Sequence, residues 1–194
     1  MKILFFIAFI AITLTSCDLF TTRDAQKPDQ ARSNFQPPVQ PNIVIENLVN
    51  SLKDKNAQNY ISCFVDSLFA KKKFTFSASS EVAAIYPIFL QGWNLNDEQR
   101  YISSVFNTVP KDFPVSLTLS EESYSNLSGD SLIYSASYFL NVPAASGEGG
   151  TSNYSGNLQF NMLRDNRAVW VIYFWKDTKS QTLPSWSELK GSFY

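Results

Sequence analysis

IENLVNSLKDKNAQNYISCFVD, residues 45–66, carries two apolar stripes separated by one polar break, and its reading decides the fold. Ile45, Leu48, Val49 and Leu52 recur at the three-four spacing of an amphipathic helix. The break at Lys53-Asp54-Lys55-Asn56 leads into a second such stripe, Tyr60, Ile61, Phe64, Val65 and Leu68. Two consecutive helices are predicted at the start of the domain.

Downstream, Lys73-Phe74-Thr75-Phe76-Ser77 alternates as a short strand. Ser80 to Tyr86 reads as a short helix stopped by Pro87. A further helix opens at Asn96 as cap, with Asp97 and Glu98 in the first turn and Gln99 three residues on. Its stripe is Tyr101, Ile102, Val105, Phe106 and Val109. After Pro114 the period changes to two: Val115, Leu117 and Leu119 alternate with Ser116, Thr118 and Ser120. Residues 132–140, 153–163 and 168–175 follow as strands, joined by turn chemistry at Ser128-Gly129-Asp130, a flexible hairpin over Ala145 to Gly150, and Arg164-Asp165-Asn166. Short connections between consecutive strands predict an antiparallel meander. Helices first and strands after make an α+β fold, with N-terminal helices packed on a curved antiparallel sheet.

Upstream of the helix pair the chain has two further parts. Lys2, the apolar run from Ile3 to Leu14 and Leu14-Thr15-Ser16-Cys17 have the architecture of a secretory leader. The run is too short to span a bilayer, which takes roughly 20 residues. Leu three positions before Cys17 resembles the lipobox of bacterial lipoproteins. Residues 1–16 are read as signal peptide and Cys17 as the lipidation site, anchoring the chain to a bilayer; such proteins carry two or more acyl chains, enough for stable attachment. Residues 17–41, with Pro28, Pro37, Pro38 and Pro41, cannot bury enough surface to order themselves and read as a disordered tether. Phe35, a large apolar residue among its prolines and polar groups, is a candidate to dock on the domain, which spans residues 42–194. The expected location is the cell envelope, periplasmic or surface-exposed, with inner and outer membrane left open.

Several chemistries are excluded or weakened. The chain has 16 Lys+Arg, 17 Asp+Glu and no histidine. Lys71-Lys72-Lys73 is the longest basic run, too short for a nucleic-acid footprint. Without histidine, Ser-His-Asp and Cys-His catalysis lose their usual base and zinc its commonest ligand. Cys63 sits inside an apolar stripe and reads as a small buried hydrophobe. No EF-hand spacing and no phosphate loop appear, so no cofactor or metal is expected.

The order of elements resembles the nuclear transport factor 2-like superfamily, with its polyketide cyclase-like and steroid isomerase-like domains, and in particular bacterial lipoproteins of that superfamily. The resemblance rests on the helix pair, on FTFSAS (74–79), on GWNLNDEQRYISSVFN (92–107) and on VWVIYFWKDTKSQTLPSWSELKG (169–191). A cystatin-like sheet wrapped on one helix is the alternative fold, but it has no need of two helices at the start. The resemblance implies a cone-shaped cavity between sheet and helices, where relatives bind or transform small apolar molecules.

Tyr134, Tyr138, Tyr154, Phe160, Trp170, Ile172 and Phe174 share one parity within their strands, and Tyr173 and Trp175 the other. Tyr134, Tyr138, Trp170 and Phe174 are the candidate cavity lining. Glu121, Glu122, Asp130, Asp165 and Asp177 fall at expected strand ends and turns, and catalytic members of the superfamily place their carboxylate on the inner wall. The expectation is therefore a non-catalytic domain that binds a small apolar ligand or an envelope protein, with a homodimer through the sheet as a further arrangement. Two alternatives stand beside it: an isomerase or hydratase using a carboxylate–tyrosine pair in the cone, and a glycan-binding module presenting Trp93 or Trp186.

Overall fold

The first helix forms where the stripe predicts it; the second stops early. In the computed structural model, which describes residues 34–143, 153–180 and 182–194, α1 spans Pro41–Lys53 and α2 only Ala57–Ile61. Pro41 opens α1 without sacrificing a helical hydrogen bond, and Lys53 lies at its negative C-terminal end. The helix expected to run on to Leu68 ends because the chain turns to meet the sheet. Val65 N–H donates to Ile172 O at 2.8 Å and Ile172 N–H to Cys63 O at 2.9 Å, a single bridge in place of a further helical turn. Phe64 and Val65 are buried there, whereas Leu68 is exposed.

β1 (Thr75–Ser77) is followed by α3 (Ser80–Ile85), a 3-10 turn (Pro87–Gln91) and α4 (Leu95–Thr108). The cap of α4 is Asn94, not Asn96. Asn94 accepts from the Asn96 amide at 2.8 Å, and Asp97 reaches back to the Asn94 amide at 2.9 Å, closing a capping box two residues earlier than the sequence reading places it.

Four long strands follow: β2 (Ser116–Ser128), β3 (Ser131–Asn141), β4 (Asn153–Arg164) and β5 (Trp170–Lys179); α5 (Trp186–Ser192) closes the chain. The sheet order is β1-β5-β4-β3-β2, and β2 to β5 form the predicted antiparallel meander. The sheet is nevertheless mixed, because β1 pairs with β5 in parallel, Phe76 opposite Trp175. No short hairpin joins β1 to β5, so nothing local dictates its direction.

Strand β3 buries Leu132, Tyr134, Ala136, Tyr138 and Leu140 and turns the intervening side chains outward. Opposite, α1 buries Val44, Ile45, Leu48 and Leu52, and α4 buries Tyr101, Ile102 and Val105. The core lies between this helical layer and the inner face of the sheet. Ile61 and Phe106, from the helical stripes, and Trp170, from the candidate cavity lining, are only partly buried against it.

Among the described residues the compact unit runs from Asn34 to Tyr194. Buried Asn47 reads both backbone groups of Gln36, donating to its carbonyl at 2.7 Å and accepting from its amide at 2.9 Å. Trp170 N–H donates to Pro38 O at 2.7 Å, and Phe35 packs against the core. Residues 34–40 thus lie along the domain. The expected signal peptide, the expected lipidation site Cys17 and the hairpin expected over residues 145–150 lie outside the described residues.

Candidate functional site

Tyr138 and Asp177 face each other in the interior between sheet and helices. The Tyr138 hydroxyl donates to Asp177 Oδ1 at 2.8 Å. Both residues come from strands, β3 and β5, and β4 runs between them. The reach across β4 is possible because Gly156 stands there: a Cβ at that position would come within 2.7 Å of the Tyr138 hydroxyl and 2.5 Å of Thr178 O. Asp177 is fully buried on the inner wall, not a strand-end residue at a turn.

The parity on which the sequence reading relied breaks within β5. Asn161 pairs with Phe174 and Met162 with Ile172, so Tyr173 is the extra residue of a bulge. Beyond it Trp175 and Asp177 are buried, while Phe174 takes the opposite face. Tyr134 and Tyr138 are therefore buried on the interior wall, and Phe174 is not. Trp170 is half-buried at the first position of β5, away from the Tyr138–Asp177 pair.

The C-terminal helix supplies the rest of the site. A capping box starts α5: the Ser185 amide donates to Glu188 at 2.6 Å, and the Ser185 hydroxyl accepts from the Glu188 amide. This places Ser187 over Asp177, whose Oδ2 accepts the Ser187 amide at 2.8 Å and its hydroxyl at 2.5 Å. The Trp186 amide donates to the Tyr138 hydroxyl at 2.7 Å, and its indole N–H donates to the Tyr101 hydroxyl at 2.8 Å. Burial raises the Asp177 carboxyl above its usual range, opposed by hydrogen bonds from Ser187 and Tyr138 and by the Lys190 charge. Tyr138 is likewise held protonated by burial and by the adjacent carboxylate.

One turn after Trp186, fully buried Lys190 forms an ion pair with fully buried Glu98 of α4. Glu98 also accepts from Tyr60 Oη and Trp93 Nε1, both at 2.7 Å. Four aromatic rings surround the ammonium: Trp175 at 3.9 Å, Phe76 at 4.2 Å, Tyr101 at 5.0 Å and Trp93 at 5.3 Å from nitrogen to ring centre. Burial lowers the Lys190 pKa to about 8, with Glu98 opposing the shift. Neither Glu98 nor Lys190 was among the sequence candidates. The signal for Glu98 was there: positions 98, 101, 102 and 105 share one helical face, so the acid lies on the buried stripe.

The remaining candidates resolve simply. Glu122 lies beside the β2 bulge and accepts from the Tyr134 hydroxyl at 2.7 Å. Asp165 holds its own turn through Arg167 at 2.5 Å and the Arg167 amide at 2.8 Å. Cys63 is buried, and burial drives its thiol far above the range of a reactive cysteine. Trp93 and Trp186 are 1 % and 0 % exposed, so neither presents the open ring that glycan stacking requires. Among the described residues no cluster of Cys, Asp and Glu is arranged to hold a metal ion, and no helix is long and apolar enough to cross a membrane.

No protein-family model matches the chain, and no curated protein matches it. Solved structures do. A proposed dehydratase of the nuclear transport factor 2-like family from Streptomyces avermitilis aligns with a TM-score of 0.55 at 6% identity, over 73% of this chain and 94% of that one. A proposed scytalone dehydratase from Novosphingobium aromaticivorans gives 0.55 at 8% identity, over 71% and 80%. A nuclear transport factor 2-like superfamily protein from Salmonella enterica gives 0.50 at 11% identity, over 72% and 88%. The fold is nuclear transport factor 2-like, an α+β cone with a five-stranded mixed sheet.

Proposed function

We propose that this chain is a bacterial envelope lipoprotein, held to the membrane through acylated Cys17, whose domain binds a ligand or protein partner and makes and breaks no covalent bond. The observation that carries the non-catalytic reading is the saturation of Asp177. One oxygen takes the Tyr138 hydroxyl and the other takes two donors from Ser187, so the chain's own helix stands where a substrate would have to bind. A general base must reach the proton that it removes, and this one faces only protein. The lipid anchor is supported by the leader and by Leu14-Thr15-Ser16-Cys17.

One observation favours a second reading. A buried carboxylate beside a tyrosine is the pair that an isomerase or hydratase of this fold would use, with the acid moving a proton α to a carbonyl and the phenol stabilising the enolate. The experiment is turnover of a panel of enolisable ketones and β-hydroxy carbonyl compounds by the full-length protein and by Asp177→Asn. No turnover above buffer is expected. A turnover that Asp177→Asn abolishes while circular dichroism stays unchanged overturns the binding reading and establishes the second.

A further inference from the structure

The interior cluster around Lys190 contains more charge than filling a core requires. A buried ion pair adds little net stability against well-packed apolar side chains of the same volume. A leucine or methionine at position 190 would satisfy the four rings; only a cation satisfies both the rings and Glu98. The shell thus has the composition of an ammonium receptor: aromatic faces on several sides and one carboxylate held rigid by Tyr60 and Trp93.

Helix α5 fills this receptor as a ligand would. Trp186 and Lys190 are four residues apart and point into the interior from one face of a seven-residue helix. The indole fits between Tyr138 and Trp175, with ring centres at 5.5 and 4.6 Å, and the ammonium enters the cage beyond it. A helix this short has no stability of its own and is held by what it docks into.

We propose, resting on the reading of the domain as a binding module, that the Glu98 cage is an amine-binding site closed in the free protein by α5, and that it takes a primary ammonium bearing an aromatic group when α5 withdraws. The internal occupant defines the ligand class, an indole-like ring and an ammonium. This ligand class differs from the wholly apolar one expected from sequence, because a neutral molecule would leave Glu98 buried without a counter-charge.

The test uses the full-length chain. Lys190→Ala removes the three methylenes and ammonium that n-propylammonium restores. That ion should raise the melting temperature of the variant saturably, and n-propanol, of equal size and no charge, should bind at least roughly tenfold more weakly. Adding Glu98→Gln should abolish the difference. In the unmodified protein, tryptamine should accelerate hydrogen exchange at the α5 amides while leaving those of α4 unchanged. Equal stabilisation of the variant by propanol overturns the proposal, and so does α5 exchange that tryptamine does not move. The second measurement needs no variant, so a misfolded Lys190→Ala does not protect the idea. Neither readout involves turnover, so the proposal can fail while the non-catalytic reading stands. Withdrawal of α5 would also take the Ser187 donors from Asp177, so the turnover panel is run with tryptamine present as well as absent.

Discussion

Tyr138 donates its phenolic proton to Asp177 across 39 positions of sequence, at 2.8 Å, while its oxygen accepts the Trp186 amide at 2.7 Å. The phenol therefore couples the sheet to the C-terminal helix. Asp177→Asn tests that coupling. An amide oxygen can still accept one donor, but the amide N–H2 then meets a donor on its other side, leaving a buried polar group unpaired. The expected loss is about 1–3 kcal/mol by urea unfolding, with faster hydrogen exchange confined to α5. A loss below about 0.5 kcal/mol would mean that the helix is not held through this carboxylate.

Gly156 is the second control point. A methyl group there lies within 2.7 Å of the Tyr138 hydroxyl and 2.5 Å of the Thr178 carbonyl, and the latter, being backbone, yields least. Gly156→Ala should cost roughly 1–3 kcal/mol through overpacking. Tyr138→Phe relieves one of the two clashes, so the double variant should be more stable than the sum of the single losses predicts. Strict additivity in a double-mutant cycle would show that the glycine and the phenol are independent.

How far this architecture was legible follows from which forces act locally. The stripes of α1 and α4 and the alternation in β2 to β5 are visible because burial of one face imposes a period on neighbouring residues. The β5 bulge is not visible, since an extra residue changes parity without changing composition, and it reverses the places of Phe174 and Trp175. The parallel pairing of β1 and the early end of α2 depend on partners about a hundred residues away, Trp175 and Ile172. The site suffered most, because Lys190 and Asp177 read as ordinary polar residues until α5 folds back over the sheet. Trp186, which only the glycan-binding alternative singled out, as an exposed ring, is the residue that performs this closure.

The proposed anchor gives a third prediction. Cys17→Ala should leave the chain as an unprocessed precursor or release it from the membrane, since the leader run is too short to span a bilayer and no helix among the described residues is long and apolar enough to do so. Carbonate washing followed by mass measurement of the N-terminal peptide decides it. A processed Cys17→Ala chain that resists the wash contradicts the lipobox reading.

The buried titratable groups set the dependence of stability on pH. Lys190 has its pKa lowered from 10.5 to about 8, mainly by burial. Between those values the unfolded chain holds a proton that the folded chain has released, so this group makes stability rise from about pH 8. The buried Cys63 thiol, raised above 9.0, opposes it once pH passes 9.0, so the net rise lies between about pH 8 and 9. Tyr60 and Tyr101 act in the opposite direction. Burial first and Glu98 second raise both phenols above 10.0, so beyond that pH the unfolded chain loses protons that the folded chain keeps, and stability falls. Asp177, raised above 3.8, contributes stability that is present in acid and lost as pH climbs through its folded value. Unfolding free energies measured by urea between pH 4 and 11 should therefore show a decline on the acid side and a second maximum from about pH 9, with a fall above pH 10. Lys190→Met, which keeps the volume and removes the titration, should flatten the alkaline rise and leave the fall above pH 10 in place. A rise that survives in Lys190→Met would place the released proton on another group.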